Sequence, residues 1–84
     1  MKPTAEPAWM KPCREELLRI DPRYLVVFNI RWRQFDGHCT SEQIRAVMLA
    51  DKQYDWTPTD RTIRTWLARI APIETKHKQR AEAL

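Results

Sequence analysis

The chain of 84 residues contains a single glycine, Gly37, so it has few places where its backbone can reverse tightly. Two-residue hairpin turns call for positive φ, which glycine adopts without steric cost. Helix interiors need no such residue and are weakened by it. The expectation is therefore an all-α, or mainly α, chain: a small bundle of three to four helices. Its length allows one domain with one core. Hydrophobic residues make up 43% and charged residues 31%, a globular balance. The four tryptophans can bury much of the area that so short a chain needs.

Proline and capping residues divide the chain. MKPTAEPAWMKP carries three prolines, so residues 1–12 are expected to form an extended N-terminal arm. Either this arm docks through Trp9 and Met10, or it stays free. CREELLRI suits one or two helical turns. Asp21-Pro22 then restarts the chain, with a good N-cap followed by proline at the first helical position. In RYLVVFNIRWRQF, residues Leu25, Phe28, Trp32 and Phe35 recur on one helical face with Tyr24. Val26 and Ile30 fall opposite, so this segment is either buried on two sides or shared with a partner. The stretch is also rich in strand formers, but its length and its cap favour helix. Gly37 closes it. Thr40 with Gln43 forms a capping box ahead of Ile44, Val47 and Met48. Thr57-Pro58 is expected to start the next helix, which carries Ile63, Trp66, Leu67 and Ile70 on one stripe and stops at Pro72. This gives a domain over residues 13–72 and a basic C-terminal tail over 73–84.

Charge is uneven along the chain. Residues 1–60 hold nine Lys/Arg and nine Asp/Glu, so the net charge of +4 lies entirely in the last 24 residues. A concentrated basic segment is an electrostatic footprint for phosphates; a solvated tail is the plainer alternative. Opposite the Ile63–Ile70 stripe, the helical wheel places Arg61, Arg64, Thr65 and Ala68, with Arg69 on the flank. Arginine can bond a guanine edge bidentately, threonine can bond a base or phosphate, and alanine permits close approach. Thr57 and Thr59 lie near the helix N-terminus, where free N–H groups favour anions. An ordinary amphipathic helix with a solvated basic face is the competing explanation.

Residues 21–70 resemble the three-helix core of winged helix-turn-helix regulators, nearest to the penicillinase-repressor family. Thr40–Ser41 opens the helix before the recognition helix. The pattern W-[ST]-x-x-T-[IV]-R-x-x-L-x-R-[IL] is approximated by Trp56, Thr57, Thr62, Ile63, Arg64, Leu67, Arg69 and Ile70, with a longer gap between Thr57 and Thr62. The resemblance implies a DNA-binding fold in which Thr62, Arg64 and Thr65 face the groove and Arg69 faces the backbone. The wheel instead centres Arg61 and sets Thr62 on the flank. The family's wing follows the recognition helix with a glycine turn and two strands. APIETKHKQRAEAL has neither, so the wing is missing or vestigial, and Lys76, Lys78 and Arg80 would take its place on phosphates.

Other chemistry is poorly supplied. Cys13, His38, Cys39 and His77 lack metal-ligand spacing, so no metal is expected. No glycine-rich phosphate loop is possible, and no nucleophile–base–orienter set is evident. No catalytic residue, cofactor or enzymatic activity is expected. Two cysteines do not make a disulfide framework, which suits reduced thiols in a cytoplasmic protein. No apolar run is long enough for a membrane span. Two functions remain. The first is a sequence-specific transcriptional regulator, a repressor of an operon or mobile element. It would read double-stranded DNA with residues 57–69 as a homodimer, through Val26, Ile30 or the Trp9 arm. The second is a protein-interaction module on the same fold, an adaptor or inhibitor of a nucleic-acid machine, with Trp9 and Trp56 as exposed anchors.

Overall fold

The computed structural model describes residues 7–51 and 56–83. They form four helices: α1 (Met10–Ile20), α2 (Pro22–Phe35), α3 (Ser41–Ala50) and α4 (Asp60–Ala83). No strand occurs among the described residues, so the chain is all-α.

Local chemistry sets most boundaries. Asp21 alone separates α1 from α2. Its backbone N–H donates to the Leu17 carbonyl at 2.9 Å, and its carboxylate accepts from the Arg23 N–H at 3.0 Å. Pro22 holds Asp21 extended (φ −164°, ψ 119°), so one residue ends one helix and caps the next. The strand alternative for 22–35 is thereby excluded. At the end of α2, Asp36 and Gly37 both turn left-handed, with φ 59° and 86°. A Cβ on Gly37 would lie 2.6 Å from the Trp32 ring, so conformation and space both require glycine there. Thr40 and Gln43 complete the expected capping box of α3.

Three expectations need correction. First, the helical body starts before residue 13: Met10, Lys11 and Pro12 form the first turn of α1, where a missing proline N–H costs nothing. Met10 is buried, and Trp9 packs edge-on against Phe28 and Trp32. Second, α4 begins at Asp60 rather than Pro58. Thr59 is its cap, accepting from the Thr62 N–H at 3.2 Å. The Pro58 carbonyl is held outside the helix by Arg45 Nε at 3.2 Å. Third, Pro72 does not stop α4, which continues to Ala83. The proline removes one backbone bond and crowds the preceding turn, at roughly 3 kcal/mol. It lies on the exposed side, while Ile70, Glu74 and His77 remain buried on the inner side.

The core joins all four helices. Met10, Cys13 and Leu17 come from α1, Ile44 and Met48 from α3, and Ile63, Trp66 and Ile70 from α4. In α2 the buried residues are Tyr24, Val27, Phe28 and Ile30; Leu25, Val26, Trp32 and Phe35 pack at the margin. Of the two alternatives for the Val26 and Ile30 face, burial on a second side holds for Ile30, which lies inside. The physical reason is that α2 contacts α1, α3 and α4, so it is covered on more than one side.

The second half of α4 is held by a buried carboxylate. Glu74 is 3% exposed. Both its oxygens lie 2.6 Å from Arg31 Nη1, and Trp32 Nε1 donates to Oε2 at 3.1 Å. Removing one partner of such a pair leaves an uncompensated charge. Arg31→Ala should therefore destabilise the fold by about 3 kcal/mol, and Arg31→Met with Glu74→Leu should recover most of that. Pro72→Ala should stabilise the fold by up to about 3 kcal/mol. Urea denaturation followed by tryptophan fluorescence checks both.

Candidate nucleic-acid interface

The buried residues of α4 recur at 63, 66, 70, 74 and 77, so one side of this helix faces inward from Ile63 to His77. The opposite side of its first half carries Arg61, Arg64, Thr65 and Ala68, all exposed, with Arg69 exposed on the flank. Thr62 is half-buried, which agrees with its flank position on the helical wheel. α3 supports this half: Ser41 Oγ donates to the Asp60 carboxylate, and Arg45 holds the Pro58 carbonyl.

Each side chain has a defined setting. Arg64 Nε lies 2.9 Å from the Asp60 carboxylate one turn earlier, with its own side chain 69% exposed. An exposed pair of this kind stabilises by only a few tenths of a kcal/mol, so the guanidinium can exchange to another anion at little cost. Arg69 Nη1 donates to the Tyr24 hydroxyl at 2.9 Å, which fixes its direction. Thr65 Oγ1 donates back to the Arg61 carbonyl at 3.1 Å. The Thr59 hydroxyl caps the helix and donates to Thr62 Oγ1 at 3.0 Å; Thr57 is half-buried. Asp60 already sets a negative charge against the positive end of the helix, so a phosphate there would meet a carboxylate.

A further cation, Arg23, comes from α2. The Arg23 guanidinium stands 5.3 Å from the centre of the Trp66 ring. It also grips the Asp21 carboxylate, with Nη2 at 2.7 Å, and this pairing holds the Asp21 carboxyl below its ordinary range. Trp66 is flanked by Tyr24 and Trp56, with centroids 6.0 and 6.1 Å away. Trp56 is 37% exposed. Its place against Trp66 could not be read from sequence, because Trp56 lies outside the helix that carries Trp66.

The expected tail cations are placed differently from one another. Lys76 Nζ lies 2.6 Å from the Glu16 carboxylate. Lys78 Nζ stands over the Trp9 and Trp32 rings, 4.9 and 5.3 Å from their centres. Both ammonium groups therefore hold α4 against α1 and α2. Arg80 is exposed. Trp9 and Val26 are half-buried against the core, and Ile30 is within it. The exposed residues among 59–69 lie on the first half of α4, whereas Lys76 and Lys78 face Glu16 and the Trp9 and Trp32 rings. Glu16, Arg31, Glu74 and His77 were not anticipated. The register of Ile63 and Ile70 carries on to Glu74 and His77, and ending the helix at Pro72 hid that signal.

Chemistry elsewhere is subdued. Burial, with Glu74 and Glu16 nearby, pushes the Cys13 thiol up to about 11, so it stays protonated and unreactive at neutral pH. Burial also raises the Cys39 thiol. Among the described residues, no group of three His, Cys, Asp or Glu is placed to hold a metal ion, and no helix is long and apolar enough to cross a membrane.

Hydrogen bonds from Lys76 and then His77 hold the Glu16 carboxyl below its ordinary value of 4.5. A carboxyl lowered by folding contributes stability that is complete above its unfolded value and is lost as pH falls through its folded value. Stability should therefore decline below about pH 5, and Glu16→Gln should remove part of that slope, Asp21 supplying another part. Thermal melts across pH, followed by circular dichroism, measure both. No protein-family model, no curated protein and no solved structure matches the chain.

Proposed function

We propose that the protein is a small DNA-binding regulator that lays the first half of α4 in the major groove of double-stranded DNA. The observation that carries this is the exposed face of Arg61, Arg64, Thr65 and Ala68 on a helix whose other side is locked into the core by Ile63, Trp66 and Ile70. A rigid helix with arginines and a small residue outward can approach base edges, and two guanidinium groups can each bond a guanine. Arg69 and Arg23 both lie by the Tyr24–Trp66 pair at the flank of that face and would contact phosphates there. Lys76 and Lys78 have no part in this proposal, since Glu16 and two tryptophan rings engage them. A module of this size makes few contacts, so two copies on a two-fold site would supply the affinity.

A second reading rests on Trp56. It is a large aromatic, more than one-third exposed, packed edge-on against Trp66 of α4. Tryptophan and arginine dominate protein hot spots, so the same surface suits a protein-interaction module, an adaptor or inhibitor of a nucleic-acid machine. The all-helical C-terminal segment up to Ala83, in place of a wing, also favours it.

Selection from a random-sequence duplex pool between about 50 and about 200 mM salt separates the two. The DNA reading expects steep salt dependence and an enriched two-fold motif. Arg61→Ala and Arg64→Ala should each cost about 1–3 kcal/mol on the preferred sequence and relax the preference. Arg69→Ala should weaken all sequences alike and lower the salt slope by about one. Lys78→Ala should leave the slope unchanged. Absence of retained DNA at the lowest salt would overturn this reading and leave the protein-interaction module.

A further inference from the structure

The other side of the molecule carries a groove between α1 and α2. Lys11, Arg14, Glu15 and Leu18 border it from α1, at spacings i, i+3, i+4 and i+7. Leu25, Asn29 and Arg33 border it from α2, at i, i+4 and i+8. These are the faces that two adjacent helices present to a third helix lying along their seam. The groove is about 320 Å³, the low end of the roughly 300–1,000 Å³ that small-molecule sites occupy. It is therefore suited to a few side chains of a longer ligand.

Its chemistry is specific in two respects. Leu18 is 51% exposed and Leu25 is half-buried, so an apolar floor stands open to water. Three cations and one carboxylate surround that floor. Even without Arg14, which already has a partner, Lys11 and Arg33 outnumber Glu15; this positive excess selects an anionic partner, and the floor selects one with an apolar face. A phosphate backbone uses the charge but not the leucines. A symmetric contact with a second copy would bring Lys11 and Arg33 against like charges, which disfavours it. We propose that this groove docks an acidic amphipathic helix of a partner protein, leucines inward on Leu18 and Leu25 and glutamates outward to Lys11 and Arg33. This is the helix-in-groove mode of recognition. None of the lining residues belongs to α4, so the proposal stands or falls independently of DNA binding, and both surfaces can be occupied together.

The probe is a labelled synthetic peptide of about 18 residues, long enough to hold a helix. It carries leucines at i, i+3, i+4 and i+7 with glutamates on both flanks, and a matched peptide carries lysines instead. Fluorescence anisotropy against the full chain should show saturable binding of the glutamate peptide and at least about tenfold weaker binding of the lysine peptide. Leu18→Ser and Arg33→Glu lie at exposed positions and should keep the helical circular dichroism of the parent. Each should weaken the glutamate peptide about tenfold, and Arg33→Glu should narrow the gap between the two peptides. The proposal is overturned by equal binding of both peptides, or by no effect of either substitution. It is equally overturned if duplex DNA displaces the peptide from the parent but Arg33→Glu abolishes that competition, which would assign the groove to nucleic acid. Self-association of the chain that Leu18→Ser removes would assign it to a second copy.

Discussion

The Glu74 carboxylate is the constraint around which the long helix is arranged. An ionised group at 3% exposure is tolerable only with close, well-directed donors, and Arg31 and Trp32 of α2 supply them. That pairing fixes the rotation and axial position of α4 relative to α2 beyond the point where a proline would ordinarily end a helix. With Glu74 held, His77 falls inward onto Glu16 of α1, and Lys76 and Lys78 follow on either side of it. Glu74 is thus a registration device: apolar residues alone could slide by a turn, whereas a carboxylate has only one satisfactory place.

The cations of the chain divide into two groups by what they face. Arg31, Lys76 and Lys78 point at carboxylates or aromatic rings inside the protein and hold the helices together. Arg61, Arg64, Arg69 and Arg23 lie at the surface around the first half of α4, where Arg64 pairs with Asp60, Arg69 with the Tyr24 hydroxyl and Arg23 with Asp21. A net positive charge concentrated at the end of the sequence therefore overstates the basic surface of the tail. It understates that of the neighbouring α2 terminus, where Arg23 adds a cation from a segment that sums to zero.

The proposed DNA-reading face and the α1–α2 groove have different physical characters. The first is a convex helix with arginines outward and no open apolar floor, which suits a polar groove lined with acceptors. The second is concave, with leucines below and cations on the rim, which suits an amphipathic helix. A protein of four helices can present both because α4 turns its exposed side away from the seam between α1 and α2. Trp56 lies with the first surface and would extend it toward a protein partner if the helix meets protein in place of DNA.

Local chemistry was legible in the sequence wherever the interaction lies within a few residues. The Asp21-Pro22 restart, the Thr40–Gln43 capping box, the Gly37 turn and the stripe from Ile63 to Ile70 all depend on neighbours less than two turns away, and the structure contains each of them. The exposed arginine face followed from that stripe, because burying one side of a helix necessarily turns the other outward. What only the tertiary structure decided are the pairings across about 40 to 70 residues of chain: Arg31 with Glu74, Glu16 with Lys76 and His77, and Lys78 with Trp9 and Trp32. Pro72 shows the reason most clearly. Proline carries a local penalty that any sequence displays, and that penalty says stop. The compensating burial of Ile70, Glu74 and His77 comes from helices far away in the chain, so the helix continues for a cause that no local pattern contains.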